Sequence, residues 1–185
     1  MHKASECTLY SGGHVGAETF FGECAERHGV AEVTFSFEGH HIKRDKGLVM
    51  LSDADLKRGD VSMEIISIHM HRQYAQSEKT RRIFQSIFHM VNKGLQVFAV
   101  GVIQDDNTVK GGTGWSVELG KFFNRKVHVF DQVKNVWFTW RHDEWVVDMP
   151  VISETTFCGS GTRDITDESR KAVEALFTRS LGAGK

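Results

Sequence analysis

Two periods alternate along this chain. Over residues 31–39 the apolar positions Val33, Phe35 and Phe37 recur every second residue, the signature of a strand with one buried face. Over residues 77–94 the spacing changes: Ile83, Phe84, Ile87, Phe88 and Val91 form a stripe at helical intervals, and Gly94 stands where a helix would end. The apolar run 95–103 is too short and too rich in β-branched residues for a helix, so it predicts a central strand. The same reasoning predicts strands at 7–10, 126–131 and 155–159, and helices at 17–29 and 114–124. A last helix follows Thr166, whose hydroxyl suits an N-cap, with Asp167 and Glu168 in its first turn. Ser52 and Asp55 resemble a capping box and predict a helix over 53–69, while 40–51 shows no period and is expected to be irregular. Residues 136–149 predict a β-hairpin turning near His142 and Asp143, with Trp137, Trp140 and Trp145 packed in or beside it.

Strands and helices therefore alternate, which predicts an α/β fold with a mostly parallel sheet covered on both faces. No composition shift, linker or low-complexity segment interrupts residues 1–185, so a single domain is expected.

Three of the strand-to-helix junctions are rich in glycine: SGGHVGAE at 11–18, KGGTGWSVE at 110–118 and GSGTRD at 159–164. A helix N-terminus carries unpaired amides and a partial positive charge, and glycine lets an anion approach that backbone closely. In an open α/β sheet such loops gather at the carboxyl edge of the strands, the usual ligand crevice. The candidate binding residues are Ser11, Gly12, Gly13, His14, Gly16 and Glu18 in the first loop. The second contributes Gly111, Gly112, Thr113, Gly114 and Trp115, and the third Gly159, Ser160, Gly161, Thr162 and Arg163. The bland alternative is that the glycines only make tight turns. Neither the P-loop pattern nor G-x-G-x-x-G is present, which argues against those two modes of phosphate binding.

Composition narrows the picture. A formal net charge of −1 argues against a broad nucleic-acid-coating surface, and the KTRR cluster at 79–82 fits a solvated helix face. Cys7, Cys24 and Cys158 are scattered and odd in number, so buried free thiols in a reducing compartment are expected. No apolar signal core or membrane-length run occurs, and cytoplasmic residence without membrane association is the expectation. His40, His41, His69 and His71 lack metal-ligand companions, so no metal is expected.

The three loops also carry a resemblance. GGTGWSVE resembles the G-G-x-G-T-x-x-E pattern of the Lonely Guy family, with Trp115 where that family has Thr, and TLYSGGHVGAE is similar to the first strand and loop of the wider, Rossmann-like SLOG superfamily. SGGHVGAE, VKGGTGW and FCGSGTRDI together are similar, over nearly the whole chain, to a group of uncharacterised bacterial and phage-type proteins in it. Relatives include DNA-processing protein A and putative molybdenum-cofactor carriers. The resemblance implies a Rossmann-like fold, a nucleotide or phosphorylated-cofactor ligand, no required cofactor and a homo-oligomer such as a dimer. It assigns catalysis of N-glycosidic cleavage in nucleoside monophosphates to Glu118, assisted by an arginine on the preceding helix, for which Arg81 and Arg82 are the candidates.

An oxocarbenium-like transition state would gain from a carboxylate beside the sugar, the role available to Glu118. Glu18 either holds a ribose hydroxyl or steadies its loop. His14 either meets a phosphate or base or is a plain loop residue, and Arg163 either forks onto a phosphate or pairs with Asp164. Trp115 stacks on a base, closes the site, or fills core. The function expected is nucleotide binding at the loop edge with hydrolysis of an N-glycosidic bond. The alternatives are a non-catalytic sensor or molybdenum-cofactor-type carrier and, third, single-stranded DNA binding like that of DNA-processing protein A.

Overall fold

The computed structural model describes residues 2–74 and 77–184. Its centre is one eight-stranded sheet. The strands are β1 (Thr8–Ser11), β2 (Ala31–Ser36), β3 (Leu48–Met50), β4 (Gln96–Gly101), β5 (Lys126–Asp131), β6 (Val136–Arg141), β7 (Glu144–Val147) and β8 (Thr156–Gly161). Their spatial order is β3-β2-β1-β8-β4-β5-β6-β7. The pairings from β3 through to β5 are parallel, and β6 and β7 add an antiparallel edge. The fold is therefore α/β with a mostly parallel sheet.

The helices are α1 (Ala17–His28), α2 (Asp53–Lys57), α3 (Asp60–His69), α4 (Glu78–Lys93), α5 (Thr113–Phe122) and α6 (Asp167–Leu181). Strand β4 shows why they fall into two layers. Its Val97 and Ala99 join a core with Met63, Ile66, Met90 and Leu119 of α3, α4 and α5, whereas Phe98 and Val100 join Phe21, Cys24, Leu176 and Phe177 of α1 and α6. A strand turns successive side chains to opposite faces, so a continuous apolar run serves both layers. Cys7, Cys24 and Cys158 are buried free thiols. No helix among the described residues is long and apolar enough to cross a membrane.

Two elements depart from the sequence expectation. The helix expected over 53–69 is two helices meeting at a corner, Arg58 and Gly59. A Cβ on Gly59 would lie 2.8 Å from Cβ of Phe88 and 3.0 Å from the Gln85 carbonyl oxygen, so this corner is where the chain touches α4. The segment 40–51, expected to be irregular, contains β3, an edge strand whose three residues are all exposed. Burial leaves no period in so short an edge strand. The predicted hairpin is present as β6 and β7, with His142 and Asp143 at positive φ in its turn, and it continues the main sheet.

The hairpin is tied to the sheet through a buried polar chain. The Thr139 hydroxyl donates its one hydrogen to Asp148 Oδ2 at 2.7 Å, so it accepts from His128 Nδ1, also at 2.7 Å. His128 Nε2 then accepts from the Gln96 amide at 2.9 Å. This arrangement is complete only with a neutral imidazole. Burial pushes the His128 pKa down to about 4, from an ordinary value near 6.5. The unfolded chain thus binds a proton that the fold refuses. His128 costs no stability above about pH 6.5, and its penalty grows as pH falls to about 4. We expect denaturation midpoints to drop over that window, with a loss on the order of 3 kcal/mol from this residue. A His128 ring titrating near its ordinary value by NMR would refute the network.

Candidate functional site

The last strand, β8, lies between β1 and β4. All three strands are parallel, so the loops leaving β1, β4 and β8 emerge side by side at one edge of the sheet. There they surround a cleft of about 520 Å³. Volume of this size suits a small molecule rather than a protein segment. The direction of the chain reverses here: β1 leads outward through α1 to β2, and β4 leads the other way through α5 to β5, the place where open α/β sheets bind ligands.

The structure sorts the glycines by task. Gly13 and Gly16 have φ of 71° and 98°, and a Cβ would meet the Arg44 carbonyl oxygen at 2.2 Å and the Arg163 carbonyl oxygen at 2.4 Å respectively. A Cβ on Gly114 would strike the Val109 carbonyl oxygen at 2.2 Å, and one on Gly159 would strike the Phe21 ring at 2.6 Å. These are close-packing positions. Gly111 and Gly112 differ: a Cβ there would meet nothing within 4 Å, and both line the cleft. The amides of Gly111, Gly112 and Thr113 donate to no backbone oxygen among the described residues. They form the N-terminal turn of α5, where unpaired amides and the helix dipole favour an anion. Lys110 and Arg163 add positive charge to the same cleft.

The first loop behaves otherwise. Glu18, 7% exposed, folds back from the first turn of α1, and its Oε2 accepts from the Gly12 amide at 3.1 Å and the His14 amide at 3.0 Å. An internal carboxyl group thus occupies the donors that a phosphate would have used. Glu18 lines the cleft, and burial raises its pKa against the lowering effects of His14 and the two amides. The Ser11 hydroxyl is buried and accepts from the Gly13 amide at 3.3 Å. The segment around Arg44 braces this loop from outside. The Lys43 and Arg44 amides donate to the Gly13 carbonyl oxygen, and the Arg44 guanidinium binds Glu32, Glu26 and the Gly22 carbonyl oxygen.

His14 also lines the cleft, and its Nε2 lies 3.0 Å from Nε2 of His40. His40 stacks on Phe37 with ring centroids 4.3 Å apart, and its Nδ1 is 3.0 Å from the Ser36 hydroxyl. Burial, followed by the charge of His14, lowers the His40 pKa to about 4. Ser160, Gly161 and Thr162 line the floor of the cleft, and the Ser160 hydroxyl is 2.8 Å from that of Ser116. The opposite wall is apolar: Ile83, Phe84, Ile87 and Met90 of α4. The sequence stripe marked the first three of these as core. Among the described residues no group of three or more His, Cys, Asp or Glu side chains converges as metal ligands.

Four residues expected to act at the site, Glu118, Trp115, Arg81 and Arg82, lie outside the cleft lining, as do Ser11, Gly13, Gly16, Gly114 and Gly159. Glu118 does not line the cleft. It lies five positions after Thr113, which turns it about 140° around the helix. There its Oε2 sits 3.3 Å from Lys121 Nζ. Lys121 in turn lies 3.7 Å from the Trp140 ring centroid and 4.8 Å from that of Trp145, and donates to the Asn107 carbonyl oxygen at 2.9 Å. Trp115 is buried and stacks on Phe84 with centroids 4.2 Å apart, so it supports the apolar wall from behind. Arg81 pairs with Asp60, and Arg82 with Asp53 and Glu78, outside the cleft.

The arginine that matters to the second loop is Arg72. Its guanidinium donates to the carbonyl oxygens of Gly111 and Val109, the Thr108 hydroxyl and the Gln104 side-chain oxygen, all within 3.1 Å. No local pattern in the sequence flags it, because all of its partners lie more than thirty residues away. Gln132 plays the same part for the third loop, accepting from the Thr166 amide at 3.0 Å and donating to the Asp164 carbonyl oxygen at 3.3 Å.

No family model, curated protein or solved structure matches this chain.

The division of the glycines can be tested directly. Gly13→Ala and Gly16→Ala should each cost about 2 kcal/mol or more, seen as a fall in Tm of several degrees. Gly112→Ala, with helical φ of −62° and open space at Cβ, should leave Tm unchanged or slightly raised.

Proposed function

We propose that the cleft binds a nucleotide or a nucleotide-derived phosphate and that the chain is a SLOG-type protein acting on an N-glycosidic bond. The observation that carries this reading is the open N-terminal turn of α5, with Gly111 and Gly112 bare toward the cleft and Lys110 and Arg163 beside it. The phosphate sits on these amides, where charge and hydrogen bonding both favour it. The sugar and base extend along the wall of Ile83, Phe84, Ile87 and Met90, whose apolar surface suits a base. Thr113, Ser160 and Thr162 belong to the lining, and their hydroxyls serve the ribose.

A second reading, a binding-only sensor or carrier, draws on one observation: Glu118 is engaged with Lys121 and is absent from the cleft lining. Of the basic cluster that a DNA-binding reading would use, Arg81 and Arg82 are already paired with acids.

Thermal shift against nucleoside mono-, di- and cyclic phosphates, ADP-ribose and molybdopterin-like compounds is the test. A ligand at ~100 times its Kd should add about 2.7 kcal/mol, or ~5–10 °C for a chain of this length. Gly112→Val should weaken the hit at least ~10-fold without lowering Tm, because its side chain covers the open amides. Absence of any shift, or a hit indifferent to Gly112→Val, would remove the phosphate site. Release of free base from a hit marks the hydrolase, and an intact ligand marks the sensor or carrier.

A further inference from the structure

We infer that Glu18 is the general acid of the cleft, delivering the proton that lets the base depart. This rests on the reading of the cleft as a nucleotide N-glycosidase. Three features of the cleft lead to it. Glu18 is the glutamate in the cleft lining, whereas Glu118 points to Lys121. Its carboxyl group is held rather than free: both amide hydrogen bonds, from Gly12 and His14, go to Oε2, and Oε1 makes no hydrogen bond among the described residues. Its surroundings disfavour ionisation, with Met90 Sδ close by at the same loop and apolar α4 as the facing wall. A buried carboxyl at the edge of an apolar wall keeps its proton at a pH where an exposed one has lost it, which is the condition for acid catalysis.

The step balances without any other reactant than water. The bond between C1′ and the base nitrogen breaks, and its electron pair stays with the base. The Glu18 proton goes to the base, which leaves neutral. Water oxygen bonds to C1′, and the proton it sheds returns to the Glu18 carboxylate. The products are the free base and ribose 5-phosphate. The charge on ionised Glu18 also stabilises the oxocarbenium character at C1′ while both bonds are partial.

Glu18→Gln is the informative variant because its side-chain oxygen can still accept from the Gly12 and His14 amides. Two substrates separate an acid from a loop brace. With AMP, GMP, CMP and UMP the leaving base needs a proton. With 4-nitrophenyl ribofuranoside 5-phosphate the leaving group does not. Expected is a loss of roughly 100-fold or more in base release by Glu18→Gln, nitrophenol release within several-fold of wild type, and phosphate-ligand binding by thermal shift retained. Equal loss on both substrate types, or loss of ligand binding, overturns the acid role and makes Glu18 a brace of its loop. Undiminished base release by Glu18→Gln also overturns it, with the hydrolase reading intact. Wild-type protein that binds nucleotides but releases no base overturns the hydrolase and the acid together, and leaves the binding cleft standing.

Discussion

Parallel pairing of β8 with β1 on one side and β4 on the other is the interaction on which the remaining structure depends. The strand is late in the chain yet central in the sheet, so neither half of the sheet is closed without it. From Cys158 onward its side chains are small, because neighbours press against it. Gly159 leaves room for the Phe21 ring, and Gly161, at φ 150°, lies against the Val100 backbone and Ala17. Cys158 is buried under α4, where its thiol donates to the Met90 carbonyl oxygen at 2.9 Å. Such long-range parallel pairing must wait for most of the chain, which makes this a slow-folding topology. The same insertion assembles the cleft, since it brings loops from residues near 12, 111 and 162 to one edge.

Within that edge the three loops are not equivalent, and the difference is electrostatic. An amide at a helix start seeks an anion. In the first loop the chain supplies its own acceptor, the Glu18 carboxyl group. In the second it supplies none, and the Gly111–Thr113 turn stays open to the cleft. The result is a cleft with a buried carboxyl on one side and an anion-seeking turn with Lys110 on the other. A ligand with a phosphate at one end and a protonatable leaving group at the other matches that polarity.

The open turn keeps its shape through contacts made far from it in sequence. Arg72 fastens the backbone at Val109 and Gly111, while Lys121 and Trp145 both donate to the Asn107 carbonyl oxygen. Glu118 belongs to this apparatus. Burial beside the two indoles lowers the Lys121 pKa, and the nearby Glu118 carboxylate opposes that shift. The edge hairpin β6–β7 thereby has a task beyond extending the sheet: its tryptophans hold the helix and the loop that form one wall of the cleft.

Local pattern by itself determined a good deal of this protein. The alternation at 31–37, the stripe on α4 and the apolar run of β4 each reflect which side chains must be buried, and burial has a period that sequence displays. The α/β class, the hairpin and the three glycine junctions followed from that period and from turn chemistry. Tertiary structure alone decided the rest. Gly59 breaks a helix because Phe88 lies against it, and β3 exists because β2 offers it a parallel edge. Glu18 and Glu118 look alike in sequence, each following a glycine loop near the start of a helix, yet one folds into the cleft and the other turns away. Which of them meets a ligand depends on helix rotation against the sheet and on partners, Lys121 for one and two backbone amides for the other, that only the folded chain brings within reach.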